Sequence, residues 1–159
     1  MNITIIGAGK IREKYLTAAI EEYSRRLSRY CRLRITEVAD EPTPDGAGEK
    51  EEMLIRQKEG ERILKAVPAG SYVIALAISG KSLSSEEFSE KIDSLAVGGV
   101  SHITFLIGGS LGLSDECLMQ ADFHLSFSRM TFPHQLMRVI LLEQIYRGFR
   151  IMRNEPYHK

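Results

Sequence analysis

The sequence predicts an α/β fold: a mostly parallel β-sheet with helices on both faces. Three observations carry this. Short runs of β-forming residues alternate with longer stretches of helical periodicity along the 159 residues. One run, YVIALAI at 72–78, is apolar without a break, as a central parallel strand covered on both faces has to be. Gly, Pro, Ser and Asp gather at the junctions, where caps and turns need them.

Taken in order, residues 2–6 read as a short buried strand. A helical pattern follows over 12–30, with Tyr15, Leu16, Ala19, Tyr23 and Leu27 recurring at helical spacing. Arg32–Val38 alternates enough for a second strand, and EPTPDGAG at 41–48 concentrates turn residues into a loop. Glu49–Ala66 is a charged helix ended by Val67-Pro68-Ala69-Gly70, and the third strand is 72–78. Ser84-Ser85-Glu86-Glu87 offers a serine cap with acids in the first turn, opening a helix that Gly98-Gly99 stops. His102–Ile107 is the fourth strand. A short helix opening at Ser114 leads to a fifth strand over 123–127, and a long last helix starts near Pro133 and covers 134–153.

A chain of this length fits a single domain over residues 1–159, which should bury roughly 70% of the surface its unfolded form exposes. With 43% hydrophobic and 26% charged residues and no long apolar run, neither disorder nor a membrane span is favoured. The opening MNITIIGAGK lacks the features of a signal peptide, so a cytoplasmic protein is expected. Cys31 and Cys117 stand far apart and read as reduced thiols. The 21 basic and 21 acidic residues cancel, which removes any composition argument for nucleic-acid binding. Two basic segments remain: five arginines between Arg25 and Arg34, and six Lys or Arg against two Glu from Arg129 onward. Charge alone favours solvated helix faces over RNA contact there.

In open α/β sheets ligands bind beyond the carboxyl ends of the strands. The candidate pocket loops are therefore ISGKS (78–82), GGSLG (108–112) and SFSRMTFPH (126–134). Gly7 and Gly9 in GAGK suggest a dinucleotide fingerprint, but Arg12 stands where the third glycine is needed, and a plain turn is the better account. Gly108-Gly109 would let a ligand approach the backbone, or serve a simple turn. The stretch 126–132 mixes hydroxyls, backbone amides, apolar side chains and one guanidinium, which suits a nucleoside carrying an amino-acid tail; a polar loop capping the next helix through Thr131 and Pro133 explains it as well. Apolar residues of the last helix, among them Leu136, Val139, Ile140, Leu141, Ile145 and Phe149, occupy every quadrant of the wheel, so the helix is buried on more than one side, by the sheet and a second subunit or wholly within the chain. His102, His124, His134 and His158 show no metal-ligand spacing, and G-x-S-x-G is absent, so neither a metal nor an acyl-enzyme is expected.

With these loops in view, the sequence resembles the ribosomal RNA large-subunit methyltransferase H family of the SPOUT superfamily over essentially its whole length. The resemblance rests on SSEEF (84–88), FLIGGSLG (105–112), SFSRMTFPHQLMRVILLEQIYRGFRI (126–151) and the terminal PYHK (156–159). It implies a C-terminal trefoil knot, a homodimer, S-adenosylmethionine as methyl donor, and methylation at N3 of a pseudouridine in helix 69 of 23S rRNA on the assembled 70S ribosome. Carried over by motif, the cofactor-binding residues are Leu76, Gly108, Phe127, Ser128, Arg129, Met130, Thr131 and Phe132. The family often has an acidic residue after the leucine matching Leu76, whereas this chain reads Leu76-Ala77-Ile78, which leaves only backbone contacts there. Removing the imide proton of the acceptor calls for a base, expected to be His158 or His134, with His158 preferred because the terminal PYHK could fold over a pocket. Arg138, Arg153 and Tyr157 are expected to orient RNA or offset charge. The competing functions are a non-catalytic ribosome-associated RNA-binding protein and a SPOUT methyltransferase acting on another RNA base.

Overall fold

The computed structural model describes residues 1–159. Its elements run β1 (Asn2–Ala8), α1 (Lys14–Leu27), β2 (Arg32–Val38), α2 (Glu49–Ala66), β3 (Tyr72–Ser82), α3 (Ser85–Val97), β4 (His102–Ile107), α4 (Asp115–Gln120), β5 (Phe123–Ser126) and α5 (His134–Met152). The alternation read from the sequence is present throughout. α1 is shorter than its periodicity suggested, because Ser28 Oγ donates to the Arg25 carbonyl at 2.6 Å and the Tyr30 N–H closes on the Leu27 carbonyl at 2.8 Å. Those bonds turn the chain toward β2.

All five strands are parallel, in the order β2-β1-β4-β3-β5. Alternate side chains of the three central strands, β1, β4 and β3, enter two separate cores. Ile3, Ile5, Ile103, Phe105 and Ile107 meet Leu27 of α1, Phe88 and Ile92 of α3, and Leu141, Leu142 and Ile145 of α5. Ile6, Ala8, Val73 and Leu106 meet Ile63 of α2 and Cys117 of α4 on the other face. The two crossovers over the first face step one way along the sheet and the two over the second face step the opposite way, so all four share one hand, as twisted parallel sheets require. Since every strand points the same way, the loops leaving β1, β3, β4 and β5 collect along one edge.

β3 runs past the expected stop at Ile78. Leu76 and Lys81 both pair with Leu125, and residues 77–80 form an excursion between the two pairings. A Cβ on Gly80 would lie 2.7 Å from the carbonyl carbon of His124 and 2.9 Å from that of Leu125. Glycine is what lets the backbones approach so closely.

Candidate active site

A pocket of about 950 Å³ opens at the carboxyl edge of the sheet, within the size range of cofactor clefts. Its walls come from the three loops named above. β3 contributes Leu76, Ala77, Ile78 and Ser79; the loop after β4 contributes residues 107–113; the segment after β5 contributes Phe127, Ser128 and residues 130–135, with Met137 from α5. Leu118 of α4 and Leu125 of β5 close the floor. Of the eight residues expected to hold a cofactor, seven line this cavity. Arg129 does not.

Each loop has a local reason for its shape. After β4, the Gly112 N–H donates to the Gly109 carbonyl at 3.0 Å, and Gly112 sits at φ +83° in the left-handed region open to glycine. A Cβ on Gly108 would collide with the backbone of Gly112 and Leu113. The immediate demand for glycine at 108 is thus the loop's own closure, which leaves its wall free of side chain toward the cavity. After β5, Ser126 Oγ donates to the Ser128 carbonyl at 3.1 Å and Ser128 Oγ accepts from the Met130 N–H at 2.9 Å, forming a self-bonded turn. No side chain caps α5, whose preceding residue is Pro133, so Thr131 lines the pocket without serving the helix.

The lining contains no Asp, Glu, Lys or Arg. His134 is its one side chain that titrates near neutrality. Burial, then the Arg138 cation one helical turn along, pushes the imidazole below its ordinary range, outweighing the opposing carboxylates of Asp40 and Glu13. The ring is therefore neutral at pH 7, with a lone pair able to take a proton.

The other residues expected to do chemistry stand elsewhere. Arg138 is 1% exposed and lies under the exit of β1: its guanidinium donates to Glu37 Oε2 at 2.6 Å and to the Gly9 carbonyl at 2.5 Å. It reaches neither the pocket nor the surface. The Tyr157 ring packs edge-on against Tyr146 at 4.9 Å between centroids, and its hydroxyl lies 3.4 Å from Glu143. The Arg153 guanidinium stacks over Tyr30 at 4.8 Å. In His158, Nδ1 lies 3.1 Å from Arg147 Nη1 and Nε2 lies 2.6 Å from Glu86 Oε1. Since arginine only donates, Nδ1 accepts and Nε2 carries the proton, so both ring nitrogens are engaged within this chain. Ala77, Ile107, Leu113, Leu125, Leu118, Gln135 and Met137 are wall residues that sequence reasoning missed. The last two adjoin His134, but nothing in the sequence turns Leu118 toward the cavity.

An all-parallel sheet, helices on both faces and an uncharged cavity made by three strand-end loops define a class of α/β protein whose cleft has the size and lining suited to a small organic ligand. The chain belongs to the SPOUT methyltransferase family: the family model described as "Predicted SPOUT methyltransferase" matches residues 1–158. It is 62% identical to the ribosomal RNA large subunit methyltransferase H of Clostridium kluyveri over 159 residues, the whole of both chains. It is 60% identical to the ribosomal RNA large subunit methyltransferase H 1 of Clostridium perfringens, again over the whole of both. Among solved structures, a probable methylase family protein from Haemophilus influenzae matches with a TM-score of 0.54 at 17% identity, over 99% of this chain and 70% of that one. The putative methyltransferase Lpg2936 of Legionella pneumophila, solved with bound S-adenosylmethionine, matches at 0.50 and 11% identity over 96% and 66% of the chains. At such identities these likenesses concern the fold alone.

Proposed function

We propose that this chain is a cytoplasmic, S-adenosylmethionine-dependent methyltransferase of 23S rRNA, a single domain over residues 1–159 that works as a homodimer with a C-terminal trefoil knot. Its target is N3 of a pseudouridine in helix 69, on the assembled 70S ribosome. The observation that carries the reading is identity of 60 to 62% from end to end with proteins named for methylating large-subunit rRNA. No helix is long and apolar enough to cross a membrane.

The pocket fits the donor. Leu76, Ile107 and Phe127 offer apolar walls for an adenine, backbone groups from Gly108 to Gly112 approach freely, and the hydroxyls of Ser128 and Thr131 can meet the amino-acid end. Met130 and Phe132 complete the wall, and Arg129 supports it through the turn it occupies. Bound there, S-adenosylmethionine would supply an electrophilic methyl on a sulfonium and would leave as the neutral thioether. The chain's task is chiefly placement, which can lower a barrier by roughly 7 to 11 kcal/mol. His134 accepts the imide proton, and Arg138, whose charge adds to burial in keeping that ring neutral, acts through it. His158 and Tyr157, outside this pocket, take part by reaching the pocket of a second copy, with Arg153 steering RNA.

The test is methyl transfer to 70S ribosomes that lack the modification, with the product mapped by mass spectrometry. One added methyl at N3 of a helix 69 pseudouridine is expected. Ribosome binding with no calorimetric binding of the donor would favour the non-catalytic reading, which leaves the pocket empty, and methyl on another base would favour a different acceptor. His134→Ala should lower kcat about a hundredfold or more with donor affinity retained. Because the neutral imidazole is the base, kcat should hold as pH falls and decline only through a pKa below the ordinary 6.5. An acid limb at or above that value removes His134 from the role; loss of turnover in His158→Ala alone transfers it to the tail.

A further inference from the structure

Gly7 of β1 pairs with Ile107 of β4, so the chain leaving β1 emerges level with the loop that opens the pocket at Gly108. The exit loop, residues 9–13, is held from beneath. Glu37 Oε2 accepts from the Ile11 N–H at 2.9 Å and from Arg138 Nη1 at 2.6 Å, while Arg138 Nη2 donates to the carbonyls of Gly9 and Ala8 at 2.5 and 3.3 Å. A Cβ on Gly7 would lie 2.7 Å from Arg138 Nε, so the bare α-carbon is what admits the guanidinium. Gly9, at φ +91°, completes the turn. On top of this fixed backbone, Lys10, Arg12 and Lys14 are exposed, and none of the three enters any of the nine ion pairs of the chain. Tyr15 follows in the first turn of α1 and is 73% exposed.

We infer that this rim grips the RNA strand beside the acceptor base: Lys10, Arg12 and Lys14 bind phosphates, and the Tyr15 ring stacks on an unpaired base. The inference rests on the proposed RNA methyltransferase activity and names a surface for it that neither basic segment of the sequence includes. Because the backbone that carries these cations is already fixed, binding costs them only side-chain freedom. An exposed aromatic beside cations is the arrangement that recognises unpaired RNA, where bases are splayed and stacked on side chains. The opposing charges are few. Glu37 is neutralised by Arg138, leaving Glu13 and the Asp40 carboxylate, which lies 3.3 Å from where a Gly9 Cβ would stand. Three cations against two carboxylates suit contact with a short stretch of backbone, consistent with a chain of zero net charge.

The decisive variant is Lys10→Gln/Arg12→Gln/Lys14→Gln, with Tyr15→Leu alongside. The probe is 70S ribosomes lacking the methyl group, their affinity for the full chain measured across a potassium chloride series. In the triple variant, ribosome affinity should fall tenfold or more. The slope of log affinity against log salt should become shallower by about 2 to 3, roughly one for each phosphate no longer neutralised. Tyr15→Leu should weaken binding several-fold with the slope kept, since stacking releases no counterions. Calorimetric affinity for S-adenosylmethionine and the melting temperature should match the unaltered chain in both variants. If the unaltered chain methylates ribosomes and the triple variant binds them with the same affinity and slope, the rim is not the RNA surface. If the unaltered chain neither binds nor methylates ribosomes, the RNA methyltransferase reading fails and this inference with it.

Discussion

Glu59 of α2 is 3% exposed, and only one of its carboxylate oxygens is satisfied: Oε2 accepts from the Glu41 N–H at 2.9 Å, whereas Oε1 has no partner. That bare oxygen lies beneath Gly109, 2.9 Å from where a Cβ would be. Burial raises the pKa of this acid, against the pull of its backbone hydrogen bond, so the folded state prefers the neutral form. Its stabilising contribution is then fully present below the ordinary carboxylate value of 4.5 and is lost as pH rises through the raised one. Glu59→Gln keeps the acceptor for Glu41 and cannot ionise. Its melting temperature should exceed that of the unaltered chain by a margin that widens from pH 5 to pH 8; a constant margin would show that Glu59 stays protonated or ionised throughout. Neither Glu59 nor Arg138 announced itself as buried in the sequence. A charged residue within a helical pattern reads as solvated unless its partners are known, and those partners, Glu41, Gly9 and Glu37, come from distant parts of the chain.

Among the elements, α3 was legible to its first turn. Ser84 Oγ accepts from the Glu87 N–H at 3.1 Å, and Glu87 Oε2 accepts from the Ser84 N–H at 2.7 Å, a reciprocal box written into SSEE. Ser84→Ala should therefore cost about 1 kcal/mol, read as a lower urea midpoint with unchanged slope; no shift would mean that packing alone fixes the helix start. Packing is close there, since Ser89 Oγ donates to the Gly148 carbonyl at 2.8 Å and joins α3 to α5. The strand interiors were legible for the same local reason, their apolar runs marking both faces as covered. The excursion at residues 77–80 was not. It depends on β5 lying alongside Gly80, an approach between residues far apart in sequence. The pocket loops were found because parallel strands put their exits on one edge, a rule that needs no knowledge of strand order.

For the molecule as a whole, the strand order β2-β1-β4-β3-β5 lay beyond the sequence, because any order with crossovers of one hand buries the same runs. The apolar residues of α5 do divide as their spread around the wheel implied. Leu141, Leu142 and Ile145 are fully buried, while Leu136 remains 36% exposed and Val139 and Ile140 are half-buried. Such a helix supports the proposed homodimer, since it offers apolar surface that the chain does not itself cover. Sedimentation equilibrium should give twice the chain mass of 17.9 kDa, and Leu136→Glu/Ile140→Glu should shift the population to monomer; a monomer at micromolar concentration in the unaltered chain removes the dimer. The seat of Arg138 binds distant elements at this scale too. Gly7, Glu37 and Arg138 belong to β1, β2 and α5, yet each is the condition for another: the guanidinium fills the space a methyl at 7 would take, and its charge is met by the carboxylate at 37. Drift at any one position is therefore tolerable only with a matching change at the others. Among related chains, the three should vary together or not at all, which makes them one inherited unit drawn from positions 7, 37 and 138.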